Sequence, residues 1–332
     1  MVIPVLLFIV GLVCLIKGGD WFVDGAVGIA RRFHLPQILI GATVVSIGTT
    51  LPEILVSVTS AVQGHGDIAY GNTLGTIVCN TALIAALTIA IRPSKADRRS
   101  MLFPVGCFFA AAVFYSLTAY ISGGFNRSTG FILLGIFAIY MGANMIVMLR
   151  TPTPVPSLDE NGAAPMLKDT EAKNDKPLWM HLIFLALGAL LIAAGADLLV
   201  ENGMMIAQKL GIPEVVISLV FVALGMSLPE LITTISSLIK GYGSLSLGNI
   251  IGANLFNLVL VSGMSVAIAP FDIPEGKLLF GQSASLILDI PVMLAVMLIL
   301  TVPTMIRQRL ARWQGFTLLG IYAAYTTLLF VL

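Results

Sequence analysis

Charge is scarce in this chain of 332 residues. Asp, Glu, Lys and Arg together make up 11% and hydrophobic residues 58%, with a mean hydropathy of +0.99. Soluble domains carry about 25% charged residues, so a soluble globular protein is excluded. Cysteine is also sparse. Cys14, Cys79 and Cys107 are widely spaced among apolar residues, which excludes a disulfide scaffold or a cysteine cage and leaves small buried hydrophobes. His34, His65 and His181 fall in loops or at the ends of apolar stretches and form no metal or nucleophile signature, which argues against an intramembrane enzyme. No basic run is interleaved with aromatics and the net charge is only +1, so no nucleic-acid partner is expected. The opening MVIPVLL has neither a basic n-region nor a small-residue cleavage site, and it reads as a retained helix.

Long apolar runs fill the space that charge leaves. A bilayer core takes roughly 20 apolar residues per helix. Proline, glycine and charge divide the chain into ten such stretches, near 2–23, 37–62, 68–91, 101–121, 128–149, 179–202, 212–239, 245–268, 279–302 and 313–331. The expected fold is therefore an all-α integral membrane protein with ten transmembrane helices. Of the 18 basic residues, Lys17 lies within a stretch, and only Arg127, Lys209 and Lys277 follow even-numbered stretches. The others follow odd-numbered ones, and that side is cytoplasmic by the positive-inside rule. Both termini are then outside, in a multi-pass cell (inner) membrane.

The chain repeats itself. Shifted by 177 positions, GTTLPE (Gly48 to Glu53) falls on GMSLPE (Gly225 to Glu230), Gly18 on Gly195, Asp20 on Asp197, Gly64 on Gly241, Asn72 on Asn249 and Asn80 on Asn257. Further on, GFILLGIFAIY at Gly130 to Tyr140 matches GFTLLGIYAAY at Gly315 to Tyr325. Residues 1–150 read as a first five-helix repeat, 151–177 as a flexible cytoplasmic linker rich in Pro, Ala and mixed charge, and 178–332 as a second repeat. Five is odd, so a second copy that starts on the opposite side of the membrane runs inverted. In transporters built this way, ion sites lie at the midplane where the repeats meet, on interrupted helices.

The two Pro-Glu elements fall midway along the second and seventh stretches. A carboxylate at that depth costs several kcal/mol, so a matched pair points to function. Pro52 and Pro229 lack an amide hydrogen and free the carbonyls of Gly48 and Gly225. Beside these carbonyls stand Thr49, Thr50 and Ser227, with the carboxylates of Glu53 and Glu230. All are hard oxygen ligands suited to Na+ or Ca2+. GNTLGTIVCN (Gly71 to Asn80) and GNIIGANLFN (Gly248 to Asn257) form a second matched set. Thr76 and Asn80 are four apart and share a helix face, Asn257 can act likewise, and Ala253 cannot. Asn72 and Asn249 read as interhelical hydrogen-bonding glue. Lys17, three residues before Asp20, is expected to pair with it, and Asp289 is expected to hydrogen-bond groups near Pro291.

These motifs resemble those of the cation/calcium exchanger superfamily, the prokaryotic relatives of sodium/calcium exchangers, whose alpha-repeats read GTSLPE followed by GNxxGSNxxN. The resemblance covers both repeats and essentially all ten helices. It implies inverted five-helix halves and a cation antiporter that exports Ca2+ against Na+ or another monovalent cation. Glu53 and Glu230 would be the shared carboxylates, with Thr49, Thr50, Ser227, Thr76, Asn80 and Asn257 as neighbouring ligands. Met226 stands where the motif has Thr, leaving its backbone carbonyl as the available oxygen, while Ile77 and Ala253 replace Asn and Ser. The second half thus offers fewer side-chain oxygens than the first. H+- or K+-coupled Ca2+ exchange is the alternative reading, since buried carboxylates can also carry protons, and a cation channel is a remoter one. The lipid bilayer and the transported ions are the expected partners; no cofactor and no obligatory protein partner is indicated.

Overall fold

Backbone amides in hydrocarbon must find partners within their own segment, and apolar runs of this length therefore become helices. The computed structural model describes residues 2–33, 37–150, 177–210, 227–274, 278–279 and 282–331. In chain order its helices are α1 (Val2–Arg32), α2 (Gly41–Val62), α3 (Gly66–Ile91), α4 (Arg98–Ser122), α5 (Arg127–Arg150), α6 (Leu178–Lys209), α7 (Leu228–Ile239), α8 (Gly243–Ile268), α9 (Ser285–Arg307) and α10 (Arg312–Val331). Among the described residues, eight helices are long and apolar enough to cross a membrane, namely α1 to α6, α8 and α9. The protein is an all-helical multi-pass membrane protein. The linker expected at 151–177 falls almost wholly outside the described residues.

Helix ends follow local sequence. Gly64 and Gly241, equivalent in the repeat, adopt φ of +84° and +82° and stop α2 and α7 in the same way. His65 N donates to the Ser60 carbonyl at 2.8 Å and Tyr242 N to the Ser237 carbonyl at 2.7 Å, the reach-back bonds of a Schellman stop. Only glycine takes this left-handed geometry without strain. The first helix runs well past the expected limit of residue 23, because Gly25 to Ala30 are buried against neighbours and Arg31 and Arg32 complement the helix C-terminus.

Burial sorts the helices. In their most apolar windows α8 is 83% and α3 72% buried, whereas α1 and α6 are each 22% buried. The helices carrying Asn80 and Asn257 are thus central, and α1 and α6 face lipid. These two pair along their length through glycines. A Cβ at Gly11 would lie 2.9 Å from the Gly195 carbonyl oxygen, and one at Gly195 would lie 2.8 Å from that of Gly11; Gly18 meets the Gly188 carbonyl at 3.0 Å and Gly188 meets that of Gly18 at 2.8 Å. Low numbers in α1 meet high numbers in α6, so the pair is antiparallel. Under the 177-residue shift the first contact maps onto the second.

Two short ladders lie in the connections. Gly124–Phe125 (β1) pairs antiparallel with Phe271–Asp272 (β2), and Leu278–Leu279 (β3) with Gln282–Ser283 (β4). At the opposite end of α4, Lys95 and Arg309 form an isolated bridge. Asp20 does not pair as expected. Its partner is Lys240, which follows α7 and donates to the Asp20 carbonyl at 2.8 Å and to Asp24 Oδ1 at 2.6 Å, with Asp20 Oδ1 at 3.5 Å. Lys17 is exposed, and the salt bridges of Asp20 and Asp24 among the described residues go to Lys240. Asp289 accepts from Tyr325 Oη at 2.9 Å.

Candidate cation site

The site grows from a polar face on two otherwise apolar helices. Ser46, Thr49, Thr50, Glu53 and Ser57 are all buried along α2; Glu230, Thr233, Thr234 and Ser237 are buried along α7, with Ser227 just before it. The helix containing Pro52 continues unbroken from Ser46 to Val62, whereas α7 starts at Leu228 with Pro229 in its first turn. At that start the missing proline amide costs nothing.

Glu53 and Glu230 are both fully buried, and their carboxyl groups come within electrostatic reach of each other. Neither receives a hydrogen bond: all four carboxylate oxygens lack a donor. The Thr49 hydroxyl faces Glu230 but donates to the Ser46 carbonyl at 3.4 Å, and Thr50 donates to the same carbonyl at 2.6 Å. Both hydroxyl oxygens keep lone pairs for a cation. Thr76 donates to Asn72 Oδ1 at 3.4 Å and is likewise available as an acceptor.

Asn80 and Asn257 are fully buried too, and neither atom of either amide has a partner. Each opens a π-helical turn, Asn80–Ala85 in α3 and Asn257–Val261 in α8. Such turns shift the helix register locally and are frequent at functional sites. Among the described residues, fourteen buried side-chain polar atoms lack a partner, and eight of them belong to Glu53, Glu230, Asn80 and Asn257. Each such atom costs roughly 1–3 kcal/mol when left unmet. The same four residues come from equivalent positions in the two copies.

The site borders empty space. A small crevice is lined by Gly48, Thr49, Pro52 and Pro229 on one side and by Phe22, Ala189, Ile192 and Ala193 of α1 and α6 on the other. The Phe22 ring lies 3.0 Å from where a Gly48 Cβ would stand, so a bare backbone lets α1 pack closely against α2 there. Ala253 is buried and contributes no oxygen. Gly225 and Met226 lie outside the described residues.

Asn72 and Asn249 act as glue. Asn72 Nδ2 donates to the Glu53 carbonyl at 3.2 Å and to Ser57 Oγ at 2.7 Å; Asn249 Nδ2 donates to Thr233 Oγ1 at 3.1 Å. Two residues escaped sequence reasoning. Ser46 donates to the Gly41 carbonyl at 2.8 Å and lies 3.1 Å from the Asn249 carbonyl oxygen, fastening α2 to α8. Thr234, fully buried with an unpartnered hydroxyl, stands one turn beyond Glu230. Its i+4 spacing from the carboxylate was the available signal.

Known proteins resemble this chain along nearly its whole length. The sodium/calcium exchanger protein family matches residues 3–146 and 180–331. The chain is 32% identical over 336 residues, covering 99% of both chains, to a protein of Alkalimonas amylolytica whose name, CaxA, marks it as a candidate antiporter. It is 29% identical over 355 residues to the sodium/calcium exchanger MaX1 of Methanosarcina acetivorans, covering 98% of both. A solved structure of the sodium-calcium exchanger NCX_Mj, soaked with Na+ and Ca2+, superposes with a TM-score of 0.77 at 28% identity over 98% of each chain. With the family matched along both halves and the fold shared end to end, the chain belongs to the sodium/calcium exchanger protein family.

Proposed function

We propose that this protein is an antiporter that exports Ca2+ in exchange for Na+, by alternating access at one site shared by Glu53 and Glu230. The observation that carries the reading is the set of eight buried, partnerless atoms on Glu53, Glu230, Asn80 and Asn257, six of which are oxygens able to bind a cation. Two carboxylates among oxygen ligands balance the charge of one Ca2+ ion. Among the described residues, no group of three or more His, Cys, Asp or Glu gathers. A site with more charge would hold Ca2+ too tightly to release it. Thr49, Thr50, Ser227 and Thr76 supply further oxygens, and the carbonyls of Gly48, Gly225 and Met226 complete the set.

Exchange, rather than leakage, follows from electrostatics. An empty site would leave two carboxylates close together without water, a costly state. The carrier therefore reorients only when cations fill it. The crevice along α1 and α6 is the route by which ions reach the site.

The membrane arrangement in this reading has ten spanning helices in two inverted five-helix halves, residues 1–150 and 178–332, joined by a cytoplasmic linker, with both termini outside. The antiparallel, exchange-symmetric contact of α1 and α6 supports it. So does the meeting of connections assigned to the same side: 124–125 with 271–272, and Lys95 with Arg309.

The test is uptake of radioactive calcium into proteoliposomes under an imposed Na+, K+ or H+ gradient with the other two ions clamped. Uptake driven by Na+ alone is the expected result. Uptake driven by H+ or K+ alone identifies the alternative exchanger, and electrogenic flux without any counter-ion gradient would make it a channel.

A further inference from the structure

Two connections far apart in sequence are zipped together at one end of the helix array. Ala96 N donates to the Gln308 carbonyl at 3.0 Å, Leu310 N to the Ser94 carbonyl at 2.8 Å, and Lys95 bridges Arg309. The α3–α4 and α9–α10 connections therefore form one surface. It carries Arg92, Arg98, Arg99, Arg307, Arg309 and Arg312, every one exposed.

Almost nothing neutralises these guanidinium groups. The one acid in either connection is Asp97, and its carboxylate is engaged at the start of α4, accepting from Arg99 N at 3.3 Å, Ser100 N at 3.0 Å and Ser100 Oγ at 2.6 Å. The salt bridges given by the described residues lie elsewhere, between Lys240 and the two aspartates of α1. Six like charges on one surface repel one another unless an anion intervenes. The guanidinium fork matches phosphate oxygens in a two-pronged way that an ammonium does not.

The surroundings favour an amphiphile over a free anion. Ile91, Ile306 and Trp313 are 69%, 74% and 44% exposed beside the arginines, an apolar and aromatic fringe suited to the headgroup level of a bilayer. A small crevice opens beside Arg92, with Ser94 and Leu310 of the two zipped connections in its lining and Ile89, Leu247 and Ile250 forming apolar wall. Arg92 keeps one nitrogen on the Leu238 carbonyl at 3.1 Å, which anchors it beside this space. We infer that this surface is a binding site for the headgroup phosphates of anionic phospholipid in the adjacent leaflet. It ties α3, which carries Asn80, and α10 to the membrane surface, and it holds whichever cation is exchanged.

The experiment titrates the purified full chain in detergent with short-chain phosphatidylglycerol and phosphatidylcholine, reading bound lipid by native mass spectrometry. The expected result is a clear preference for phosphatidylglycerol that drops roughly tenfold or more in Arg98→Gln/Arg309→Gln, given about 1 kcal/mol per basic residue near a charged surface. Arg31→Gln/Arg32→Gln removes the same charge from exposed positions at the end of α1 and should leave the preference nearly intact. Arg98→Lys/Arg309→Lys, which keeps the charge and loses the fork, should fall between and guards against a folding defect in the glutamine pair. An equal drop in the two glutamine pairs would mean diffuse attraction only and overturn the site. Absence of any phosphatidylglycerol preference, or complete displacement by inorganic phosphate, would overturn it as well.

Discussion

The two copies of the site helix hold the same glutamate in different ways. In α2 Asn72 reaches the Glu53 carbonyl directly and also donates to Ser57. In α7 the Thr233 hydroxyl donates to the Glu230 carbonyl at 3.1 Å, and Asn249 donates to Thr233 instead. The cause is one substitution between the repeats: the position of Thr233 is Val56 in the first copy, which has no hydroxyl to intervene. A consequence follows one residue later. Ser57 is bonded by Asn72, whereas its counterpart Thr234 is left unpartnered. Internal symmetry thus preserves the position of the carboxylate and lets its support diverge, because a carbonyl needs a donor but accepts it from either neighbour.

The strongest challenge to that comparison is at the carboxylates themselves. Glu53→Gln and Glu230→Gln should each reduce exchange by about a hundredfold or more, the scale expected when one charge of a buried ion-binding group is removed. Calcium flux in proteoliposomes measures this, and near-normal flux in either variant would end the shared-site reading. A smaller effect is expected at the seam. Gly18→Ala and Gly195→Ala occupy equivalent positions, and each new Cβ would press on backbone atoms less than 3 Å away. Both should lower the melting temperature by an amount corresponding to about 1–3 kcal/mol; a large effect at one and none at the other would break the symmetry of the α1–α6 pair.

The divergent support can be exchanged. Thr233→Val recreates the first copy's pattern in the second, freeing Asn249 to reach the Glu230 carbonyl. It should cost about 1 kcal/mol or less in thermal stability, whereas Asn249→Ala, which removes the donor outright, should cost more. Equal losses would mean that the relay through Thr233 is not interchangeable with direct contact.

A further effect, of similar size, concerns helix starts. Asp97 caps α4, while the π-helical start of α9 follows Ala284 with no side-chain cap. Partial burial would raise the Asp97 carboxyl, but hydrogen bonds from Ser100 and Arg99 outweigh it and hold the group below its ordinary value. Its contribution is therefore complete above the usual aspartate pKa of about 4 and is lost as pH falls through the lowered value. Asp97→Ala should cost about 1 kcal/mol at neutral pH, with the gap from wild type closing in melts at strongly acid pH.

Much of the site was legible because its residues break the rules of their surroundings. A proline and a glutamate inside an apolar run, repeated at a constant shift, need no third dimension to be noticed. Asn80 and Asn257 were found in the same way. Ser46 and Thr234 were not, since a hydroxyl in a transmembrane helix is common and only its partners, or their absence, distinguish it. Lys17 illustrates the opposite error. Three residues from Asp20, it was within reach on a helix, yet Lys240 arrives from 220 positions away and donates to Asp20 and Asp24 together.

Composition and periodicity by themselves determined that this chain is a membrane protein of helices built from two copies, because the exclusion of charge and the spacing of apolar residues are local properties. Tertiary structure alone decided which polar groups meet. The meeting of two buried carboxylates without hydrogen-bond donors, the glycine seam that sets α1 against α6, and the gathering of six arginines from two distant connections all depend on contacts between segments more than a hundred residues apart. Such contacts are set by how buried surfaces fit, and a pattern read along one strand of sequence does not contain that fit.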